Sequence, residues 1–240
     1  MDDIRLTVSN ISPLIVSVNE TWLHNNIDDN LISIPNYRVF RHDRSHKLGG
    51  GVAVWVHNSV HCSLIDLTVV PCDINCVVLL LPVSKLIFVS LYINPQTSTN
   101  ASMCADVSSF LVHTIDYCLL SNPDFDIIIC GDLNRFKVTS LCSSLDLINK
   151  VMNPTHNDAI LDYFLTSSSI QHLFNVTVES PIANSDHRSL LCIPTDVVKS
   201  RLSIKRLLYD LRDSHVANFV AAVNCIDWKL LMCDDYDVNN

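Results

Sequence analysis

Seven short apolar runs constrain this chain more than any other feature of its sequence: 14–18, 52–56, 77–81, 86–91, 127–130, 160–165 and 190–193. A strand with one face in water alternates apolar and polar residues, whereas these runs are nearly continuous. Continuous runs demand cover on both faces, so the strands they form must be sandwiched. Helical spacing appears in 105–120, where Val107, Phe110, Leu111, Thr114, Ile115 and Cys118 share a face, and a shorter helix is predicted over 137–145. Strands outnumber helices. The expectation is therefore a layered α/β architecture with sheets inside and helices outside.

Sixteen basic against 25 acidic residues give a net charge of −9. A chain this acidic cannot grip nucleic acid with its whole surface, so such a partner must meet a local basic patch. The densest one is Arg38, Arg41, His42, Arg44, His46 and Lys47, directly before Gly49–Gly51, whose backbone could approach a ligand closely. Ten cysteines are scattered, several inside apolar runs and none in a CxxC pair, which predicts reduced thiols in an intracellular protein. The opening Met-Asp-Asp-Ile-Arg is not a secretory leader. The segment 76–93 is cut by Pro82, Ser84 and Lys85, which predicts two buried strands joined by a turn and no membrane span. Past Pro194 the character changes to leucines broken by basic and polar residues, followed by an acidic tail. A core domain over 1–195 and a helical connector over 196–240 are expected.

The sharpest chemical signal is Asp126-Ile-Ile-Ile-Cys-Gly-Asp132-Leu-Asn134, an apolar strand that delivers a carboxylate and an amide at its carboxyl end. Ligand crevices of α/β sheets lie at that end, although Gly, Asp and Asn are also ordinary turn residues. Asn184-Ser-Asp186-His187 sets a carboxylate beside an imidazole able to reach a phosphate. Glu20 follows the first run, and Asp162 interrupts the apolar 160–165, where an unpaired charge would be costly. Oxygen donors without a Cys/His cluster suit Mg²⁺ or Mn²⁺ rather than zinc. Hard-metal carboxylate sites with one histidine suit phosphodiester hydrolysis. His24, His57, His61, His113, His156, His172 and His215 show no pattern that points to chemistry.

In order, Asn-Glu20-Thr-Trp, Leu-Tyr92, Gly-Asp132-Leu-Asn134, Leu-Asp162-Tyr-Phe and Ser-Asp186-His187 resemble the motifs of the endonuclease/exonuclease/phosphatase superfamily, which includes DNase-I-like and apurinic/apyrimidinic endonucleases. Glu20-Thr-Trp-Leu, the stretch from Ile34 to Arg44 and Gly49-Gly-Gly-Val-Ala-Val-Trp-Val are most like the endonuclease domain of non-LTR (LINE-type) retrotransposons. The resemblance implies two packed, mostly antiparallel β-sheets flanked by helices, and a metal-dependent DNA-nicking hydrolase. It implies that Glu20 and Asp186 hold the metal and that Asp132 moves the proton with Asn134 orienting it. His187 would polarise the phosphate, held by Asp162, and Tyr92 would donate to it. DNA would be met by Arg38, Arg41, Arg44 and Lys47. A reverse transcriptase would follow in the same polyprotein, and function would lie in the nucleus.

Two departures from that pattern stand out. The family's first strand, which ends in a metal-site Asn, has no counterpart, since 14–18 matches the second; impaired activity is the expectation. After Tyr92 the chain reads Ile93-Asn94-Pro95, where an Arg and two prolines are usual. The competing readings are a degenerate DNA-binding remnant and a phosphatase of the same fold.

Overall fold

The computed structural model describes residues 1–44, 49–67, 70–71, 74–195 and 213–225. Residues 1–204 form one compact unit and 205–240 a second. The first unit opens with helix α1 (Asp2–Ile11), followed by β1 (Ile15–Asn19), β2 (Tyr37–His42) and β3 (Val52–His57). These strands form an antiparallel sheet in the order β1-β3-β2. Next come β4 (Ser63–Leu64), β5 (Ile74–Leu81) and β6 (Leu86–Ile93). Helices α2 (Pro95–Thr99) and α3 (Ala101–Ser121) cross over to β7 (Asp126–Asp132), and α4 (Val138–Leu145) precedes β8 (Leu147–Asn149) and β9 (Asp162–Ser167). Strands β4–β9 build a six-stranded sheet in the order β4-β5-β6-β7-β9-β8, antiparallel except for β6 and β7. That parallel pair is the one joined through helices, as a parallel connection requires. Finally β10 (Phe174–Val178) and β11 (Leu190–Pro194) pair antiparallel.

The apolar runs become β1, β3, β5, β6, β7, β9 and β11, and 76–93 is a hairpin turning at Pro82–Lys85. Val77, Leu79, Phe88, Ile128 and Phe164 on one face of the large sheet meet Val52, Val54 and Phe40 of the three-stranded sheet, and Val176, Val178 and Leu190 of the two-stranded one. The alternate residues Ile87, Val89, Ile127 and Ile129 are fully buried as well, so the second face is also covered. Helix α3 is long and apolar enough to cross a membrane by length and composition alone, yet it buries Val107, Leu111, Ile115 and Cys118 inside the fold. This is the stripe its spacing predicts. On the outer face of the three-stranded sheet, Val8 of α1 packs with Ile32, Ile34, Ala53 and Trp55, and the Trp55 indole donates to the Ile32 carbonyl at 2.9 Å.

The second layer is interrupted beside β1, where the sequence shows no counterpart of the family's first strand. Among the described residues no strand joins β1 to β11, so it comprises two separate sheets. Cys130 of β7 lies beneath this interval, within reach of both Ser17 on β1 and Cys192 on β11. All eight described cysteines are free thiols. In the second unit the described residues form α5 (Asp213–Asn224). The remainder of the expected connector, including Ile226–Trp228, lies outside the described residues.

Gly131 sets how closely the layers meet. Its φ is 137°, and a Cβ there would sit 2.0 Å from the Leu91 carbonyl oxygen and 3.1 Å from Asn19 Nδ2. Neither the backbone of β6 nor the side chain of β1 can retreat without breaking the Asn19 Nδ2 to Leu91 carbonyl bond of 3.0 Å. Gly131→Ala should therefore destabilise the protein by at least about 3 kcal/mol. Urea denaturation followed by circular dichroism checks this, and an unchanged midpoint would show that β6 and β7 tolerate separation.

Candidate active site

Four strands bring polar residues to one end of the large sheet. Asp132 closes β7 and pairs across from Asp162, the first residue of β9. β6 runs parallel to β7 and carries Tyr92 to the same end. β1, tied to β6 through Asn19 and by a Ser17–Ser90 hydroxyl contact of 2.6 Å, delivers Glu20. Glu20 accepts from the Tyr92 hydroxyl with one oxygen and from the Trp22 indole, at 3.0 Å, with the other. Asp132 Oδ1 accepts the Asn134 backbone N–H at 2.9 Å, while the Asn134 side chain donates to the Ile93 carbonyl at 2.8 Å. His187 Nδ1 lies 2.8 Å from Asp162 Oδ2. Asp162 thus has the partner that its apolar strand demanded.

The backbone is strained where these groups are presented. Glu20, Trp22 and Asn134 take left-handed φ of 52°, 56° and 51°, each costing on the order of 1 kcal/mol or more for a residue with a side chain. The glycine run braces this segment from the side of β3. Gly50 and Gly51 carbonyls accept from Trp22 and Thr21 N–H, and a Cβ on Gly51 would meet Thr21 Oγ1 at 2.5 Å. On the other side, the fully buried Thr155 accepts the backbone N–H groups of Leu161 and Asp162 at 3.1 and 3.0 Å, and its carbonyl accepts from Arg188 at 2.7 Å. This one residue locks the start of β9 to the loop that carries His187. Asn94 caps α2 by accepting from Thr97 N–H at 2.9 Å, which accounts for Asn94-Pro95 after Tyr92.

The electrostatics follow from crowding acids out of water. Burial, then the charge of Asp162, pushes the Asp132 carboxyl up to about 7. The hydrogen bond that its ring donates to the Asp162 carboxylate raises His187 to about 9. Burial and the bond to Glu20 raise the Tyr92 phenol. Beside Asn134 a cavity of about 600 Å³ opens, bounded by Pro95, Thr99, Arg135, His156 and Leu161.

Glu20, Tyr92, Asp132, Asn134, Asp162 and His187 thus assemble as one constellation. Asp186 does not join the carboxylates: its side chain is 82% exposed and pairs with His156 Nε2 at 3.3 Å. Sequence reasoning set His156 aside, because only the fold brings its loop beside His187. The basic patch is also divided. Arg44 lies against Gly50, close enough to Tyr92 for its charge to act on the phenol. Arg41, by contrast, is an internal clamp that donates to the Ile27 carbonyl at 2.7 Å and pairs with Asp29 at 3.0 Å. Arg38 donates to the Val60 carbonyl at 2.9 Å, and alternation along β2 sends it to the opposite face from Arg41. His42 receives the Cys76 N–H at 3.1 Å and so ties β2 to β5. Lys47 and His46 lie outside the described residues.

The model of the Endonuclease/Exonuclease/phosphatase family matches residues 1–187. The chain belongs to this family. A comparison with curated protein sequences returned no match. Among solved structures, the fold is similar to the endonuclease domain of TRAS1, a telomere-specific non-LTR retrotransposon, with a TM-score of 0.62 and 12% identity over 82% of this chain and 93% of that one. It is also similar to an AP endonuclease from Archaeoglobus fulgidus (TM-score 0.57, 14% identity, 81% and 93% covered) and to the human Nocturnin catalytic domain (TM-score 0.57, 18% identity, 80% and 84% covered). The expected DNase-I-like fold is thereby established. Endonuclease/exonuclease/phosphatase proteins are hydrolases acting on phosphodiester bonds, typically with a divalent metal.

The residues of this family member fit such a cation. Donor atoms of Asp132, Asp162 and His187 lie within 4.8 Å of one another, and the negative charge of Glu20 raises Asp132 further. A buried carboxyl held up by neighbouring acids is what a bound cation would relieve. Without metal, the ionised Asp132 costs stability. Because its folded value lies above the ordinary carboxyl value of 3.8, stability is lost as pH rises from that value to about 7. In EDTA, Asp132→Asn should melt higher than the parent above pH 7, with the difference shrinking toward pH 4. Melting curves at several pH values check this, and a constant difference would show that the Asp132 charge is already compensated.

Proposed function

We propose that this chain is a divalent-metal-dependent endonuclease that nicks DNA, of the non-LTR retrotransposon type. It would act in the nucleus and be joined in its polyprotein to a reverse transcriptase. The observation that carries the reading is the Asp162–His187 pair facing a buried Asp132 whose carboxyl is pushed up to about 7. An acid near neutrality exchanges protons readily, and an imidazole held charged by a carboxylate is a donor aimed at anionic oxygen. The attacking water gives its proton to Asp132 as its oxygen bonds to phosphorus, and the bond from phosphorus to the opposite ester oxygen breaks to release one strand end. His187, anchored at Nδ1, presents Nε2–H to a non-bridging phosphate oxygen. Tyr92 and Trp22 hold the Glu20 carboxylate open, and Glu20 with Asp132 would hold Mg²⁺ or Mn²⁺. Bound there, such a cation would neutralise phosphate charge and stabilise negative charge on the departing oxygen.

Two features support a polynucleotide over a small phosphate ester. Trp22 stands 63% exposed beside Glu20 and offers its ring to a base. Arg44 supplies positive charge on the same side. The hydrogen bonds of Thr155 hold the opposite wall, and the cavity beside Asn134 has room for a flanking nucleoside.

Supercoiled plasmid should be nicked with Mg²⁺ and spared in EDTA, and His187→Ala should lose on the order of 10²-fold or more in rate at equal folded fraction. The rate should rise with pH as Asp132 ionises, at or below about 7 because the cation pulls that limb down, and fall above about 9 as His187 loses its proton. Nicking that survives EDTA, or a small phosphomonoester hydrolysed faster than plasmid, would overturn the proposal. Arg44→Ala should weaken DNA binding and reduce its salt slope by about one phosphate contact. Arg41→Ala should leave that slope unchanged and lower stability instead. Fluorescence anisotropy across a salt series separates the two.

A further inference from the structure

Around His187 the described residues form a second donor cluster, of which the proposed hydrolysis uses His187 alone. The rings of His156 and His187 face each other with centroids 4.7 Å apart and planes tilted by 39°. His156 Nε2 lies 3.3 Å from Asp186 Oδ2, and donor atoms of His156, Asp186 and His187 all fall within 4.8 Å of one another. Two imidazoles and one carboxylate form a mixed nitrogen and oxygen set that suits zinc and its neighbours, whereas magnesium prefers oxygen alone.

The cluster is held by the chain itself. His156 is fixed in a short antiparallel bridge with Ala159, through backbone bonds of 3.1 and 2.9 Å. Thr155, its neighbour, accepts the Arg188 N–H at 2.7 Å, so the two histidine-bearing segments cannot drift apart without losing that bond. Asp162 occupies His187 Nδ1 at 2.8 Å and leaves Nε2 for a ligand. A carboxylate behind a ligating imidazole is the usual outer support of such sites. The side chains of His156 and His187 are only 27% and 25% exposed, while Asp186 at 82% leaves an entry for the ion and space for a water as fourth ligand.

We propose that His156, Asp186 and His187 bind one zinc-type transition-metal ion, at a position separate from the Glu20 and Asp132 acids. Occupancy draws His187 Nε2 away from phosphate, so this ion opposes hydrolysis. That consequence rests on the proposed function, whereas the binding does not.

The test is titration of the full chain with Zn²⁺ by calorimetry, and with Co²⁺ as a visible-absorbing substitute. One equivalent should bind, with the d–d spectrum of a four- or five-coordinate ion and no thiolate charge-transfer band. His156→Ala and Asp186→Asn should each weaken binding by at least about tenfold. Asp186 is exposed, so its variant folds as the parent does and keeps the comparison informative. Equal affinity in both variants and the parent would overturn the proposal, as would a thiolate band placing the ion on cysteines. Loss of binding in both variants, with the cysteines unchanged, would support it however plasmid nicking turns out.

Discussion

Packing Glu20, Asp132 and Asp162 around one crevice is costly, because like charges repel more strongly away from water. The rest of the site is arranged to hold them there. The bare Cα of Gly131 lets β7 approach the β6 carbonyls and Asn19 of β1, so three strands terminate within reach of one another. Asn134 N–H, the Tyr92 hydroxyl and the Trp22 indole then each answer one carboxylate oxygen. What remains uncompensated is carried by Asp132, whose carboxyl sits near neutrality. The same desolvation that weakens the fold prepares the group for proton transfer.

His187 divides the site. Its Nδ1 side is committed to Asp162 and through it to the carboxylate end of the large sheet. Its other neighbours, His156 and Asp186, belong to loops that Thr155 and Arg188 tie together. The imidazole is therefore positioned by two separate parts of the chain. Strain at Glu20, Trp22 and Asn134 is affordable because each is pinned by bonds from neighbouring strands or from the glycine run.

Much of this was legible in sequence. Each continuous apolar run became a strand; β3, β5 and β6 are almost wholly buried, whereas β1 and β11, on either side of the interruption, are only partly covered. Strand β2 was not visible because Arg38, Arg41 and His42 interrupt it, and their packing partners, Val60, Asp29 and Cys76, are distant in sequence. β10 was missed because it alternates, with Phe174, Val176 and Val178 toward the core and Asn175 and Thr177 on the other face, and so shows no continuous run; α1 was missed because only Ile4 and Val8 of its residues join the core. Glu20, Asp132, Asn134, Asp162 and His187 were found because each follows, interrupts or precedes an apolar run, where a strand end presents side chains to a crevice.

The sequence by itself determined that sheets would be layered, that acids would gather at strand ends, and that one histidine would follow Asp186. These are local properties, set by apolar run length and by the residues that stop each run. Only the tertiary structure decided which charges meet. It turned Arg41 inward to Asp29 while bringing Arg44 toward Tyr92, and it drew Asp186 away from Glu20 to His156. It also split the second layer between β1 and β11. Partners of this kind lie far apart along the chain, and their choice depends on strand order and on which face of each strand a side chain takes, neither of which any local pattern records.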